Sequence, residues 1–298
     1  MMKTEIYRFL NTLQRSPQTI FAYGNALEQF VKAVGEDADL NIETYTKFLT
    51  SLENKSASTQ RIYTTAVLKF YAFCKAGNWA ELKEATRHYT RKSGKRIVNF
   101  NHDAVEKVVS YCESLKGDLF ALRDRAFVLT LVDTGLRISE ACSLKCGDID
   151  WLEKRAIVIG QGNRQAPVRF SDRSIQALKD YLSARESVEP NSPIPLISQP
   201  LFARHDIRAS KRIRGVSAGG MWKAIKDRIT EAGIDREMVK ILDFRHYFVT
   251  TIYLSIRDLK LSQELARHES ISTTNRYVHF GSEADKVYDK VFNKKSKG

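Results

Sequence analysis

Between residues 87 and 100 the apolar period that organises the rest of this chain stops. The stretch "RHYTRKSGKRIVNF" sets Arg87, Arg91, Lys92, Lys95 and Arg96 around a Ser-Gly pair, with no apolar residue returning at helical spacing. A run of this kind reads as a linker, so the chain must fold as two bodies. The expected layout is a helical body over residues 1–86, a basic linker over 87–100, a larger body over 101–282, and a terminal helix with a Lys-rich tail over 283–298.

In the first body Ile20, Tyr23, Leu27, Phe30, Val31 and Val34 recur at spacings of three and four, with Ser16 as a cap and Pro17 at the first helical position. "NIETYTKFLTSLE" and "SASTQRIYTTAVLKFYAFCKAGNW" repeat the pattern, the latter ending at Gly77 and Asn78. A small helical bundle follows from these signals.

In the second body "DAVEKVVSYCESL" and "LFALRDRAFVLTLVDTGL" predict helices, with Gly135 ending the second. Two β-rich runs, Ala156–Ile159 and Pro167–Phe170, flank a Gly-Gln-Gly-Asn turn and predict a hairpin. Further helices are expected over Asp172–Glu186, in "AGGMWKAIKDRITEAGI", "DFRHYFVTTIYLS" and "RDLKLSQELARH", and in "STTNRYVHF", capped by Ser272.

Forty-three per cent hydrophobic residues in 298 suffice for two cores, and 48 Lys+Arg against 35 Asp+Glu give a formal net charge of +13. Such an excess points to a polyanion, with nucleic acid the leading partner. No apolar run approaches the ~20 residues of a membrane span, and the N-terminus is too polar for a secretory signal, so a cytoplasmic protein away from membranes is expected. Cys74, Cys112, Cys142 and Cys146 lack the spacing of a zinc knuckle and read as buried free thiols.

Three clusters in the second body carry chemistry-bearing residues. In "DTGLRISEACSLKCGDID", Arg137 sits between Leu136 and Ile138 and needs an anionic partner: Glu140 or Asp148 for a structural ion pair, or a phosphate. In "LDFRHYFVTT", Arg245 lies among apolar residues beside His246, as a snorkelling arginine of a core helix would. In "HESISTTNRYVHF", His268 precedes the Ser272 cap, and Tyr277 shares a helix face with Thr273.

Together the three clusters resemble the tyrosine recombinase family, which includes phage integrases and Xer-type resolvases. "TGLRISEACSLKCGDID" is similar to its first arginine motif, "FRHYFVT" to the tail of its His-x-x-Arg motif, and "LARHESISTTNRYVH" to its His-plus-tyrosine motif. The resemblance covers essentially the whole chain. It implies a mainly α fold: a SAM-like helical core-binding bundle, then a mixed α/β catalytic domain with a small β-hairpin or sheet.

The same resemblance implies that Arg137 and Arg245 clamp the scissile phosphate, that His268 hydrogen-bonds to it, and that Tyr277 attacks phosphorus to leave a 3′-phosphotyrosyl link and a free 5′-hydroxyl. It implies no cofactor and no metal. It further implies a homo-tetramer on two double-stranded DNA sites, with the C-terminal segment exchanged between neighbours; Ala284, Val287, Tyr288, Val291 and Phe292 form a stripe suited either to that or to packing on their own domain.

Three positions depart from the family pattern. Gln161 stands where the hairpin lysine, the general acid, is usual, and an amide gives up no proton at useful pH. Leu242 stands where the second motif has its histidine, and Arg267 replaces a glycine, adding a cation near the phosphate. Cleavage slowed by these losses is one expectation. A catalytically weak or inactive DNA-binding regulator is the alternative, and a topoisomerase-like nicking enzyme fits the motif spacing less well. Besides Arg267, the residues expected to touch DNA are Arg91, Lys92, Lys95 and Arg96 of the linker, Arg164 of the hairpin, and Lys211 and Arg212 of a basic run; Lys32, Lys55, Lys69 and Lys75 are further candidates in the first body.

Overall fold

Polar caps set where the helices of the first body begin. In the computed structural model, which describes residues 2–90, 99–160, 165–188, 193–205 and 213–277, the chain divides into two units, Met1–Arg96 and Ile97–Gly298. The first contains α1 (Met2–Thr12), α2 (Pro17–Val34), α3 (Ile42–Thr50), α4 (Ala57–Phe73) and α5 (Trp79–Thr90). Ser16 Oγ accepts from the Thr19 amide at 3.3 Å, Ser56 Oγ accepts from the Thr59 amide at 3.2 Å, and Asn41 and Thr44 cap each other reciprocally. Each such cap is worth about 1 kcal/mol. Leu27, Phe30, Phe48, Phe70 and Tyr71 close the core between the helices, and Tyr45 bonds Thr86 at 2.7 Å to tie α3 to α5.

Helix α5 runs through Thr90, beyond residue 86 where the helical pattern was expected to give way. Its last turn holds Arg87 and His88, which suit the negative end of the helix dipole, and Arg87 pairs with Glu84 at 3.4 Å. The other basic residues expected in the linker, Arg91, Lys92, Lys95 and Arg96, lie outside the described residues.

The second unit begins with α6 (His102–Ser114) and α7 (Leu119–Thr134). The latter is buried along most of its length, Arg123 and Asp124 included, and packs against α6, α8 (Ile138–Ser143), α9 (Asp172–Val188) and α11 (Asp243–Ile256). Strands β1 (Ile149–Asp150), β2 (Arg155–Ile159) and β3 (Gln165–Arg169) form an antiparallel sheet in that order, with Ala156 opposite Val168. Ala156 and Val158 face the core while Arg155, Ile157 and Ile159 face out, the alternation expected of a half-buried hairpin. Phe170, expected inside the second strand, instead leaves the ladder and buries its ring. Gln161, Arg164, Lys211 and Arg212 lie outside the described residues, as does the stripe near the C-terminus.

Helices α10 (Ala218–Glu231), α12 (Leu259–Leu265) and α13 (Ile271–Thr274) complete the described part of this unit. The cap of α13 is Ser270, whose Oγ accepts from the Ser272 amide at 3.2 Å, and not Ser272 itself. The α-helix ends at Thr274, and Asn275–Tyr277 form a tighter 3-10 turn. Tyr277 is therefore not aligned with Thr273 along one helix face. No helix among the described residues is long and apolar enough to cross a membrane. Cys112 and Cys146 are buried, while Cys74 and Cys142 are half-buried; all four are free thiols, and burial pushes Cys112 and Cys142 up to about 12.

Candidate active site

The site starts from the end of α7. Gly135 sits in the left-handed region (φ 63°), and a side chain there would run into the Phe248 ring. The turn sends Leu136 into the core and sets Arg137 at the head of α8. Glu140, in the first turn, accepts both the Arg137 backbone amide at 2.9 Å and its Nη1 at 2.8 Å. Of the partners weighed for Arg137, Glu140 is the one bonded, and Asp148 is taken up by the Lys145 amide at 2.7 Å. The Arg137 side chain remains 39% exposed, so its fork faces outward as well.

Arg245, in the first turn of α11, is only 4% exposed and does not snorkel. Its Nη1 donates to the Gly135 carbonyl and its Nη2 to the Ala266 carbonyl. Among the described residues its hydrogen-bond partners are thus neutral oxygens. Burial, then the nearby Arg137 and Arg267, pull its pKa down to about 10, which still leaves it charged at neutral pH.

Arg267 comes from the turn after α12 and adopts φ 55°, a left-handed conformation that costs a non-glycine residue about 1–2 kcal/mol. Its Nη2 donates to the same Gly135 carbonyl at 3.1 Å, and its Nη1 lies 3.4 Å from Glu140 Oε2. Burial pushes the Glu140 carboxyl up, but the Arg137 amide and the Arg267 and Arg137 guanidiniums outweigh it and hold the group below its usual range. One buried carboxylate thus stands among three guanidiniums. Arg137, Glu140, Arg267, His268 and Gln165 line a cavity of about 360 Å³, with Gln165 contributed by the start of β3.

His268 shares a 2.8 Å hydrogen bond between its Nδ1 and the Thr274 hydroxyl. Burial first, and then Arg245 and Arg137, pull its pKa down to about 3, so the ring is neutral at physiological pH. Tyr277, the residue expected to attack a DNA phosphate, is 2% exposed and belongs to the hydrophobic core of its unit. The 3-10 turn folds it back towards α11, where its hydroxyl lies 2.5 Å from His246 Nδ1 and its ring stacks on His268 at 6.1 Å. A buried phenol needs such a polar partner. Burial pushes Tyr277 up to about 12 and, with Arg276 and Arg245, pulls His246 down to about 4.

The structure thus gathers Arg137, Arg245, Arg267, His268 and Tyr277 from four separate segments. Leu242 stays at the start of α11, half exposed, with a side chain that offers no hydrogen-bonding group. Two residues of the site escaped sequence reasoning, Gln165 and His246. The adjacency of His246 to Arg245 was visible, but no spacing in the sequence ties it to Tyr277.

Residues 99–283 match the model of the phage integrase family. The chain belongs to this family of tyrosine recombinases. Tyrosine recombinase XerC of Treponema denticola is 28% identical over 279 residues, covering 91% of this chain and 90% of the relative. Tyrosine recombinase XerC of Thermodesulfovibrio yellowstonii is 27% identical and covers 97% of each chain. Among solved structures, XerH site-specific recombinase in a post-cleavage complex with a palindromic difH substrate has the same fold, with a TM-score of 0.69, 22% identity, and coverage of 92% of this chain and 80% of that one. A lambda integrase dimer bound to a COC′ core site superposes with a TM-score of 0.64 at 16% identity, covering 92% of this chain and 94% of that one. The mainly helical fold with a small sheet is the recombinase fold.

Proposed function

We propose that this recombinase cleaves and rejoins double-stranded DNA through Tyr277, on a phosphate held by Arg137 and Arg245. The observation that carries this reading is Arg245. Among the described residues this buried guanidinium is bonded to neutral carbonyls, and with two more guanidiniums and one carboxylate nearby it leaves a net positive recess that a phosphodiester anion would neutralise. Relatives described as bound to difH and COC′ sites support duplex DNA as the ligand.

In this reading the Tyr277 oxygen attacks phosphorus as its proton leaves, with His246 Nδ1 the nearest acceptor. The bond from phosphorus to the 5′-oxygen breaks, a 3′-phosphotyrosyl ester forms, and the 5′-oxygen takes up a proton from solvent water to become a hydroxyl. The arginines stabilise charge building on the non-bridging oxygens. Where His268 Nδ1 accepts from Thr274, Nε2 carries the remaining ring proton and donates to the phosphate. Gln161 cannot supply the 5′-proton and Leu242 cannot hydrogen-bond, so cleavage is expected to be slow. General acid–base help of this kind is worth ~10²–10⁴ in rate. The assembly would be a homo-tetramer on two sites with exchanged C-terminal segments, working in the cytoplasm.

The two missing groups and the burial of Tyr277 favour a second reading, a DNA-binding regulator that does not cut. Covalent trapping separates the two. Incubated with nicked duplex from the sequence flanking its own gene, the wild type should give a denaturation-resistant adduct. Tyr277→Phe should bind equally well and give none. Tight binding without any wild-type adduct would leave the regulator as the function.

A further inference from the structure

We propose that Arg267 is a third guanidinium contact to the scissile phosphate, making the clamp of this chain Arg137, Arg245 and Arg267. The proposal rests on the recombinase reading above and adds one residue to the clamp.

The Arg267 side chain is 10% exposed and lines the same cavity as Arg137 and His268. Its Nη2 and Arg245 Nη1 converge on one oxygen, the Gly135 carbonyl, so the two forks are held side by side. A guanidinium has five N–H donors. Among the described residues Arg267 uses one in a hydrogen bond, and its Nε is buried without a partner. Glu140, 3.4 Å from Arg267 Nη1, offsets part of its charge but is shared, because it also accepts from the Arg137 amide and Nη1 at 2.9 and 2.8 Å. One carboxylate cannot neutralise three neighbouring guanidiniums, so the cluster keeps a positive excess that an anion with several free oxygens would offset, and burial is the first cause of the lowered Arg267 pKa. A phosphodiester has two non-bridging oxygens, enough to accept from adjoining forks.

The test uses the full chain and the variant Arg267→Gly. Glycine suits a φ of 55°, so the variant should fold, as thermal melting would verify. On flanking-gene duplex, the slope of log affinity against log salt should shrink by about one in the variant. An unchanged slope would overturn the proposal, and this arm needs no cleavage. In the trapping assay the variant should lose roughly 10- to 100-fold in adduct rate. When the phosphate mapped by the adduct is replaced with a neutral methylphosphonate, that loss should largely vanish. An equal loss on both substrates would mean that Arg267 only supports the fold. Absence of any wild-type adduct would instead remove the recombinase reading, leaving the salt arm to decide whether Arg267 meets a phosphate.

Discussion

At the scale of single residues, the site is a set of charges and dipoles whose protonation is set by burial. His246 and His268 are pulled from the ordinary 6.5 to about 4 and about 3. Depressed histidines bind protons in the unfolded chain before they do in the folded one. Their penalty is absent above about pH 6.5 and grows as pH falls towards those folded-state values, so stability should drop on acidification through that window. The slope is at most about 1.4 kcal/mol per pH unit for each ring, and less here because both are partly exposed. Denaturant midpoints at pH 7.5 and 5.5 should show the drop, and His246→Gln with His268→Gln should flatten it. A wild-type midpoint equal at the two pH values would mean that neither ring is buried as described.

At the scale of elements, the turn from α7 into α8 does the most. Gly135 faces Phe248, and its carbonyl receives two arginines. Gly135→Ala should cost about 2–4 kcal/mol, from left-handed strain and overpacking, and should shift both guanidiniums. Circular dichroism melts alongside DNA affinity would check this, and a melt equal to wild type would contradict the crowding at Phe248. This turn was legible in the sequence, because a glycine closing a long apolar helix leaves few alternatives. The hairpin was legible for a similar reason: its two runs alternate and are split by glycines. The start of α13 was not, since "HESIST" offers several hydroxyls and the one chosen depends on where the chain arrives from α12. Nor was the contact between His246 and Tyr277, which joins α11 to a 3-10 turn through tertiary packing alone. An arginine in a left-handed turn, as at position 267, likewise runs against local preference, so sequence marked the residue while only the fold gave its neighbours.

At the scale of the whole molecule, a formal charge of +13 predicts binding dominated by counterion release. Affinity for duplex DNA should fall on the order of 10³-fold between about 50 and 200 mM salt. Fluorescence anisotropy across that range would measure it, and a salt-independent affinity would argue that the basic residues do not track a phosphate backbone. The arginines and the tyrosine are anchored differently. Arg245 and Arg267 take their bearings from the backbone at the end of α7, a largely buried helix, whereas among the described residues the Tyr277 hydroxyl is held by one imidazole nitrogen. A substitution drifting into the α13 segment would therefore displace the Tyr277 hydroxyl while leaving the arginines in register; one in α7 would shift the arginines themselves.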